Sequence, residues 1–558
     1  MPALADWHDQ RFLTAFPSKR RTASESVQSA AAPSLEPRGG QRSSASVVIR
    51  VDSGAHIGAG HLFRCLTLAD ELRRRGASVR FISREHPGHL LARLDECGYE
   101  LDRLPQPRSA GSTRVDRGAW LGVTQQEDAR ETLAVLGGRQ VDWLVVDHYG
   151  IDAEWEALLG GAVDRVMVID DLADRAHDAA LLVDQNYFGS DTVRRYDQRV
   201  PGRCRALLGP RYALLQPDYR RLRQSLPERS GTVRRILVFF GMHDPTRATP
   251  RVLQAMSHPE FAPIAVDVVV GGDATLLAEA RSAACARPGT TVHEGVPSLA
   301  ALIAGADLAI GACGATTWER ACLGLPAVVA TIADNQVALA NALAAEGFTV
   351  LLGRSTSTPA EIWRIVLRRL IHDPERVAAL GLQARALTDG YGAGRVARAM
   401  LGGDARIGVR RCSAGDEALL LEWANDPETR HFAFNQDRIA ADSHRRWFAS
   451  HVDDPGSMIL IGEDSHGLPL GQVRFDLNGN LDEATINISV DVALRGTGVG
   501  TLLLREVLGT WRKGHPRTSI IAEVVAGNEA SRRLFASAGF VVTTSRRPGT
   551  ITFELRPA

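Results

Sequence analysis

The segment Ser46-Val-Val-Ile-Arg-Val-Asp52, followed closely by Gly58-Ala-Gly60, narrows the possible folds more than any other stretch of the chain. A short apolar run ending in a carboxylate reads as a buried strand. After the glycines, Leu62, Cys65, Leu66, Ala69 and Leu72 recur at helical spacing as far as Arg75. Gly76 ends that helix, and Ser78-Val-Arg-Phe-Ile82 supplies the next strand. A strand, loop, helix and strand in this order predict a parallel pair with a right-handed crossover, and hence an α/β sheet covered by helices. Trp143-Leu-Val-Val-Asp147 and Arg165-Val-Met-Val-Ile-Asp170 repeat the theme of an apolar run closed by a carboxylate.

A second series starts after the polar stretch Arg220 to Gly231, with strands at Arg235–Phe240, Ile264–Val270, Leu308–Ile310 and Ala327–Ala330. Two consecutive doubly wound halves place a ligand in the cleft between them, at the carboxyl ends of their strands. Near Gly402-Gly403-Asp404 the pattern changes to a smaller mixed α+β unit. A length of 558 residues exceeds what one core serves. The shifts predict a disordered tail over 1–45, Rossmann-like domains over 46–228 and 229–403, and a final domain over 404–558.

Lys+Arg and Asp+Glu both total 65, so no overall field favours nucleic acid or a membrane surface. Phosphate must then be held by local devices. Seven dispersed cysteines without a C-x-x-C pair suit a reducing cytosol. No apolar run reaches membrane-spanning length, and Asp6, His8, Asp9 and Arg11 occupy the place of a signal-peptide core, so a cytoplasmic location is expected.

Gly58 and Gly60 let backbone approach a ligand, and free N–H groups at the helix start suit an anion. His61 falls in the first helical turn, where the dipole disfavours imidazolium. A neutral ring able to take a proton from water is expected there. Spacing alone equally allows a histidine that caps or packs. In Gly311-Ala-Cys-Gly-Ala-Thr-Thr-Trp-Glu-Arg320, the residues Gly314, Thr316 and Thr317 offer donors to a diphosphate, and Glu319 offers a carboxylate to ribose hydroxyls. Asp334-Asn335-Gln336 adds amides suited to sugar hydroxyls.

Six segments in order carry a resemblance: Asp52–Cys65, Val146–Tyr149, Asp170–Arg175, Asp184–Asn186, Thr316–Arg320 and Asp334–Gln336. Over about 46–400 the chain resembles the pseudaminic-acid-pathway hydrolases of UDP-2,4-diacetamido-2,4,6-trideoxy-β-L-altropyranose. That family is similar to inverting glycosyltransferases of GT-B fold. The resemblance implies a GT-B-like pair of Rossmann-type domains and metal-independent attack of water on the anomeric carbon, with inversion and loss of UDP. It implies His61 as base. It also implies substrate contacts from Asp52, Gly58, Gly60, Arg64, His148, Tyr149, Gly314, Thr316, Thr317, Glu319, Asn335 and Gln336. Where the family has Gly-Gly-x-Asp-Pro, this chain has Gly241-Met-His-Asp-Pro245, a departure that bears on sugar choice.

Arg495-Gly-Thr-Gly-Val-Gly-Thr501 lies between an alternating strand and an apolar helix, and its backbone amides suit a pyrophosphate. A Rossmann dinucleotide site would need a longer βαβ unit than the remaining chain offers. The order instead resembles GNAT N-acetyltransferases, with Asn528–Phe540 matching a second element of that family. The resemblance covers about 405–558 and implies acetyl-CoA as co-substrate. Its implied contacts are Arg495, Gly496, Gly498, Val499, Gly500 and Asn528. Many members carry a thiolate-protonating tyrosine where this chain has Phe535. Glu483 and Glu523 flank strands as candidate bases, although a solvated surface role suits each better. Together the halves predict a UDP-amino-sugar acetyltransferase feeding a hydrolase. A GT-B glycosyltransferase with a degenerate CoA-binding or protein-acetylating domain is the competing reading.

Overall fold

The computed structural model describes residues 44–107, 118–242, 244–404 and 406–557; the tail expected over 1–45 falls almost wholly outside them. The first sheet contains β1 (Ser46–Val51), β2 (Ser78–Arg84), β3 (Glu100–Leu104), β4 (Val141–Asp147), β5 (Val163–Ile169), β6 (Leu181–Asp184) and β7 (Arg205–Leu208). Its order is β3-β2-β1-β4-β5-β6-β7, and every pairing is parallel. Helices cover both faces, which is why Val47, Ile49 and Val51 pack on one side while Val48 packs on the other. Order reverses between β1 and β4, the switch point where a doubly wound sheet opens a crevice.

The second sheet repeats the design with β8 (Arg235–Phe239), β9 (Ala265–Val270), β10 (Thr290–Glu294), β11 (Leu308–Gly311), β12 (Ala327–Thr331) and β13 (Val350–Arg354). Its order is β10-β9-β8-β11-β12-β13, again parallel throughout. The two sheets make a GT-B-like pair. The helix Gly392–Leu401, which follows the second sheet in sequence, returns to the first. It buries Ala393, Val396, Ala397 and Met400 in the first core, and Trp143 donates its indole N–H to the Met400 carbonyl at 3.0 Å.

The third sheet is mixed: β14 (Gly408–Arg411), β15 (Ser457–Glu463), β16 (Pro469–Leu477), β17 (Glu483–Val490), β18 (Ser519–Val525), β19 (Val541–Thr543) and β20 (Thr550–Leu555). The order is β14-β15-β16-β17-β18-β20-β19. Neighbours β17 and β18 are parallel, and pair only from Glu483 opposite Ser519 to Thr485 opposite Ile521. Beyond Thr485 the strands part, leaving a wedge in the sheet. The helix Val499–Gly514 lies across the sheet and buries Leu503, Leu504, Val507 and Trp511.

Leu503 is fully buried, and Gly462 and Gly471 make room for it: a β-carbon at either would come within 2.3 or 2.9 Å of its side chain. Leu503→Ala leaves a cavity that rigid strands cannot close. It should lower stability by about 3 kcal/mol in urea denaturation followed by circular dichroism.

Candidate functional site

A cavity of about 670 Å³ opens between the first two sheets, lined on one side by Gly58, Gly60 and Arg64 and on the other by Gly314, Thr316 and Glu319. It sits at the carboxyl ends of the strands, at both switch points. Gly58 turns the chain with φ of 86°, a conformation that other side chains rarely adopt. The helix Gly60–Arg74 then starts without a side-chain cap, and its first backbone bond runs from Phe63 N to Ala59 O. The Gly60, His61 and Leu62 amides are therefore left without a protein acceptor.

His61 is 7 % exposed and is not itself a lining residue: it stands behind Gly60 and Arg64, which line the cavity. Its Nδ1 lies 2.6 Å from Asp147 Oδ1. Arg64 grips the same carboxylate with Nε and Nη2, each at 2.6 Å. Burial pushes the Asp147 carboxyl up, but Arg64 and then His61 outweigh it and hold the group well below its ordinary value. An ionised Asp147 can only accept, so His61 Nδ1 carries a hydrogen, and in the neutral ring the lone pair then falls on Nε2. Arg64 Nη1 also donates to Asp171 at 2.6 Å, and the Tyr149 hydroxyl donates to the same oxygen at 2.8 Å. The Tyr149 ring stands edge-on to His61 at 4.6 Å, so the imidazole is fixed by both a carboxylate and a ring. Burial, followed by Asp171, raises the Tyr149 hydroxyl well above its ordinary value, so it remains a donor.

Asp147 and Asp171 were absent from the contacts expected from sequence. The signal was available, because Asp147 ends the strand next to β1 and so meets the helix that β1 launches. Of the contacts expected in this lobe, Asp52, His148 and Tyr149 do not line the cavity. Asp52 is fully buried and accepts from Arg50, the Ser83 hydroxyl and the Arg84 amide. Strand alternation turns it beneath the sheet toward β2. His148 alternates away from Asp147: its Nδ1 accepts from Gly150 N, and burial drives its pKa down to about 3.

On the second lobe, Gly314, Thr316, Glu319 and Gln336 reach the cavity together. Thr317 turns inward, accepting from Arg320 at 3.3 Å beside Cys313, and Asn335 is exposed at the start of its helix. Burial pushes Glu319 up to about 7; Tyr219 hydrogen-bonds it, and Oε2 has no partner. In the departing loop, Met242 lines the cavity and Asp244 caps the following helix through Ala248 N and Thr249 N. His243 lies outside the described residues.

In the third sheet, Gly498 takes a φ of 81° and starts the helix Val499–Gly514. The Gly498, Val499, Gly500 and Thr501 amides have no protein acceptor, since the first backbone bond runs from Leu502 N to Gly498 O. Val499 is buried and offers its amide alone. The Gly496 position is open, with no atom within 4 Å of a built β-carbon.

Arg495 turns away from this loop. Its Nη1 meets Glu428 at 2.6 Å and Asp426 at 2.9 Å, while Nη2 donates to Thr429. Asn528 caps its helix through Ser531 N, which leaves only its amide nitrogen for a ligand. Phe535 packs in the core against Phe540 and Phe553. Glu483 and Glu523 are each ion-paired, with Arg546 and Arg547. Among the described residues, no cluster of His, Cys, Asp and Glu is arranged to hold a metal ion, and no helix is long and apolar enough to cross a membrane.

The chain thus joins two parallel-sheet lobes that share a cavity to a third, mixed-sheet domain. Residues 406–541 match the acetyltransferase (GNAT) domain family. An uncharacterized protein of Methanocaldococcus jannaschii, MJ1062, is 21% identical over 520 residues, covering 91% of this chain and 99% of its own length. The spore coat polysaccharide biosynthesis protein SpsG of Bacillus subtilis is 24% identical over 352 residues, covering 63% of this chain and 96% of its own. The UDP-2,4-diacetamido-2,4,6-trideoxy-β-L-altropyranose hydrolase of Campylobacter jejuni is 24% identical over 173 residues, which is 31% of this chain and 53% of that protein.

Glu319 gives a pH signature. Its pKa rises from 4.5 to about 7 on folding, so the fold binds the extra proton. That contribution is fully present below pH 4.5 and is lost as pH rises through 7. Glu319→Gln should therefore melt above the parent at pH 8, and the advantage should vanish below pH 4.5 in differential scanning calorimetry. In the acetyltransferase domain, Gly498→Val places a branched side chain at positive φ in the loop. It should abolish acetyl-CoA binding in titration calorimetry.

Proposed function

We propose that the two parallel-sheet lobes hydrolyse a UDP-linked amino sugar, UDP-2,4-diacetamido-2,4,6-trideoxy-β-L-altropyranose, and that the C-terminal domain acetylates the 4-amine of its UDP-sugar precursor. The observation that carries the first half is the His61–Asp147 pair, tied through Arg64 to the lining of the interlobe cavity. Asp147 fixes the ring with its lone pair on Nε2. A water between Nε2 and the sugar gives its proton to that nitrogen while its oxygen bonds to C1. The C1–O bond to UDP breaks with its electron pair on the diphosphate, and the anomeric centre inverts. The imidazolium formed is stabilised by the Asp147 anion. UDP is a good leaving group, so the scheme requires no acid on its side.

The diphosphate fits the open amides at Gly60–Leu62 and the polar lining from Gly314 and Thr316. Glu319, with an unpartnered oxygen at the cavity, suits the ribose hydroxyls. Met242 in place of a glycine narrows the same wall and belongs to the selection of the sugar.

For the second activity, acetyl-CoA supplies the acetyl group. The open amides of Gly498–Thr501 fit its pyrophosphate, and the wedge between β17 and β18 fits its arm, whose amides can pair with the parted strand edges. Acetylation precedes hydrolysis, so one cytoplasmic chain carries both consecutive steps. Incubation with the UDP-4-amino sugar, with and without acetyl-CoA, tests the scheme by mass and NMR of the products. UDP release that demands an added acceptor sugar would instead mark a glycosyltransferase.

His61→Ala should abolish UDP release while leaving the Kd for UDP within about twofold, because the ring meets water and not the nucleotide. Asp147→Asn keeps the volume but lets the wrong nitrogen carry the hydrogen. It should lower kcat by a factor of about 10² to 10⁴ in a coupled UDP assay, with KM little changed.

A further inference from the structure

The residue that starts the glycine loop of the third sheet is paired with a side chain from a helix of the first core. With Arg495 spent on Asp426, Glu428 and Thr429, the anion-binding groups of the loop are its backbone amides. Such a site is only as good as the placement of its backbone. The loop is launched by Asp491, the first residue beyond β17. Asp491 is fully buried; its Oδ1 accepts from Ala493 N at 2.9 Å, its carbonyl accepts from Leu494 N, and its own amide pairs with Leu470 O. This single residue sets the turn Val492–Leu494 that delivers the glycines. Its other oxygen, Oδ2, meets Arg395 Nη2 at 2.6 Å and the Trp423 indole at 3.3 Å. Arg395 belongs to the helix Gly392–Leu401, whose apolar face is part of the first core.

Arg395 is itself held rigidly. Nη1 donates to the Asp389 carboxylate at 2.7 Å and to the Arg211 carbonyl at 2.9 Å, and Nη2 also meets Asp389. The guanidinium side chain is 1 % exposed. Further ties run between the same bodies: Arg75 donates to Asp464 at 2.8 Å, and Arg211 and Arg223 flank Glu422. Of these, Arg395–Asp491 alone ends on the residue that shapes the loop.

We propose that Arg395 is a positioning residue for acetyl-CoA: through Asp491, the hydrolase-like half holds the pyrophosphate loop of the acetyltransferase in its binding shape. The proposal rests on the reading that residues 495–501 bind acetyl-CoA. Replacing Arg395 leaves Asp491 a buried carboxylate short of its cation. The turn then rearranges to bring it to water, and the loop amides no longer converge.

The test is titration calorimetry on the full chain with acetyl-CoA and, separately, UDP, for the parent, Arg395→Gln, Arg395→Lys, Asp491→Asn and the double variant Arg395→Gln/Asp491→Asn. Arg395→Gln should weaken acetyl-CoA by about tenfold to a hundredfold, the scale of a lost buried charged hydrogen bond, with UDP within about twofold. Arg395→Lys should recover part of the loss. The double variant should be no weaker than the worse single one, because both changes cut the same tie. A purely structural role would lower the melting temperature and leave the acetyl-CoA affinity of the folded protein alone. That result, or fully additive losses, overturns the proposal. Should Arg395→Gln fail to fold, Asp491→Asn decides, since it leaves Arg395 paired with Asp389: unchanged acetyl-CoA affinity overturns the proposal. A parent that binds UDP but not acetyl-CoA overturns instead the reading of the loop, and this inference with it.

Discussion

A carboxylate kept ionised inside a protein needs a cation close by, and around Asp147 that requirement organises the whole first site. Arg64 satisfies it with two 2.6 Å contacts from the helix that β1 launches. The same arginine reaches Asp171, which in turn fixes Tyr149 against the imidazole. One guanidinium therefore decides which ring nitrogen of His61 bears a hydrogen and where the ring points. Taking charges out of water is costly, and such pairs are a weak source of stability. Their worth here is orientation: with Asp147, Arg64 and Tyr149 all set against it, the ring is held in one arrangement.

The strands of the two parallel sheets that run through the middle were legible because burial on both faces demands continuous apolar runs, as in Trp143–Asp147 and Arg235–Phe239. Strands at the margins were not. Glu100-Leu-Asp-Arg-Leu104 and Thr290-Thr-Val-His-Glu294 lie at sheet edges, where charged and polar residues reach water and erase the pattern. Gly58, Gly60, Gly314 and Glu319, expected from their place at strand-to-helix turns, do line the cavity, whereas His61 stands behind the lining. Asp52 and Asp147 looked equivalent, since each closes an apolar strand. Only the packed sheet distinguishes them, with Asp52 turned under toward Arg50 and Ser83, and Asp147 turned up toward His61. Arg495 misled for a related reason: its motif position specified a backbone shape, while its side chain found carboxylates on a neighbouring helix.

The two sites use the same device in different surroundings. Each ends a strand, turns on glycine and offers unpaired amides at the start of an apolar helix. Neither depends on bulk charge, in keeping with a chain whose acidic and basic residues balance. What differs is the neighbour that steadies the turn. In the first lobe it comes from the adjacent strand of one sheet. In the third sheet the pairing comes from a helix packed on the first core, through Arg395 and Asp491.

The return of Gly392–Leu401 to the first core has a consequence for biogenesis. On the ribosome, the earliest lobe emerges with an uncovered groove where Ala393, Val396, Ala397 and Met400 belong. Its missing helix is translated only after the entire second lobe. From the end of the first sheet at Leu208 to Gly392 the ribosome adds about a third of the 558 residues, and throughout that stretch the groove must be kept from sticking to other polypeptides.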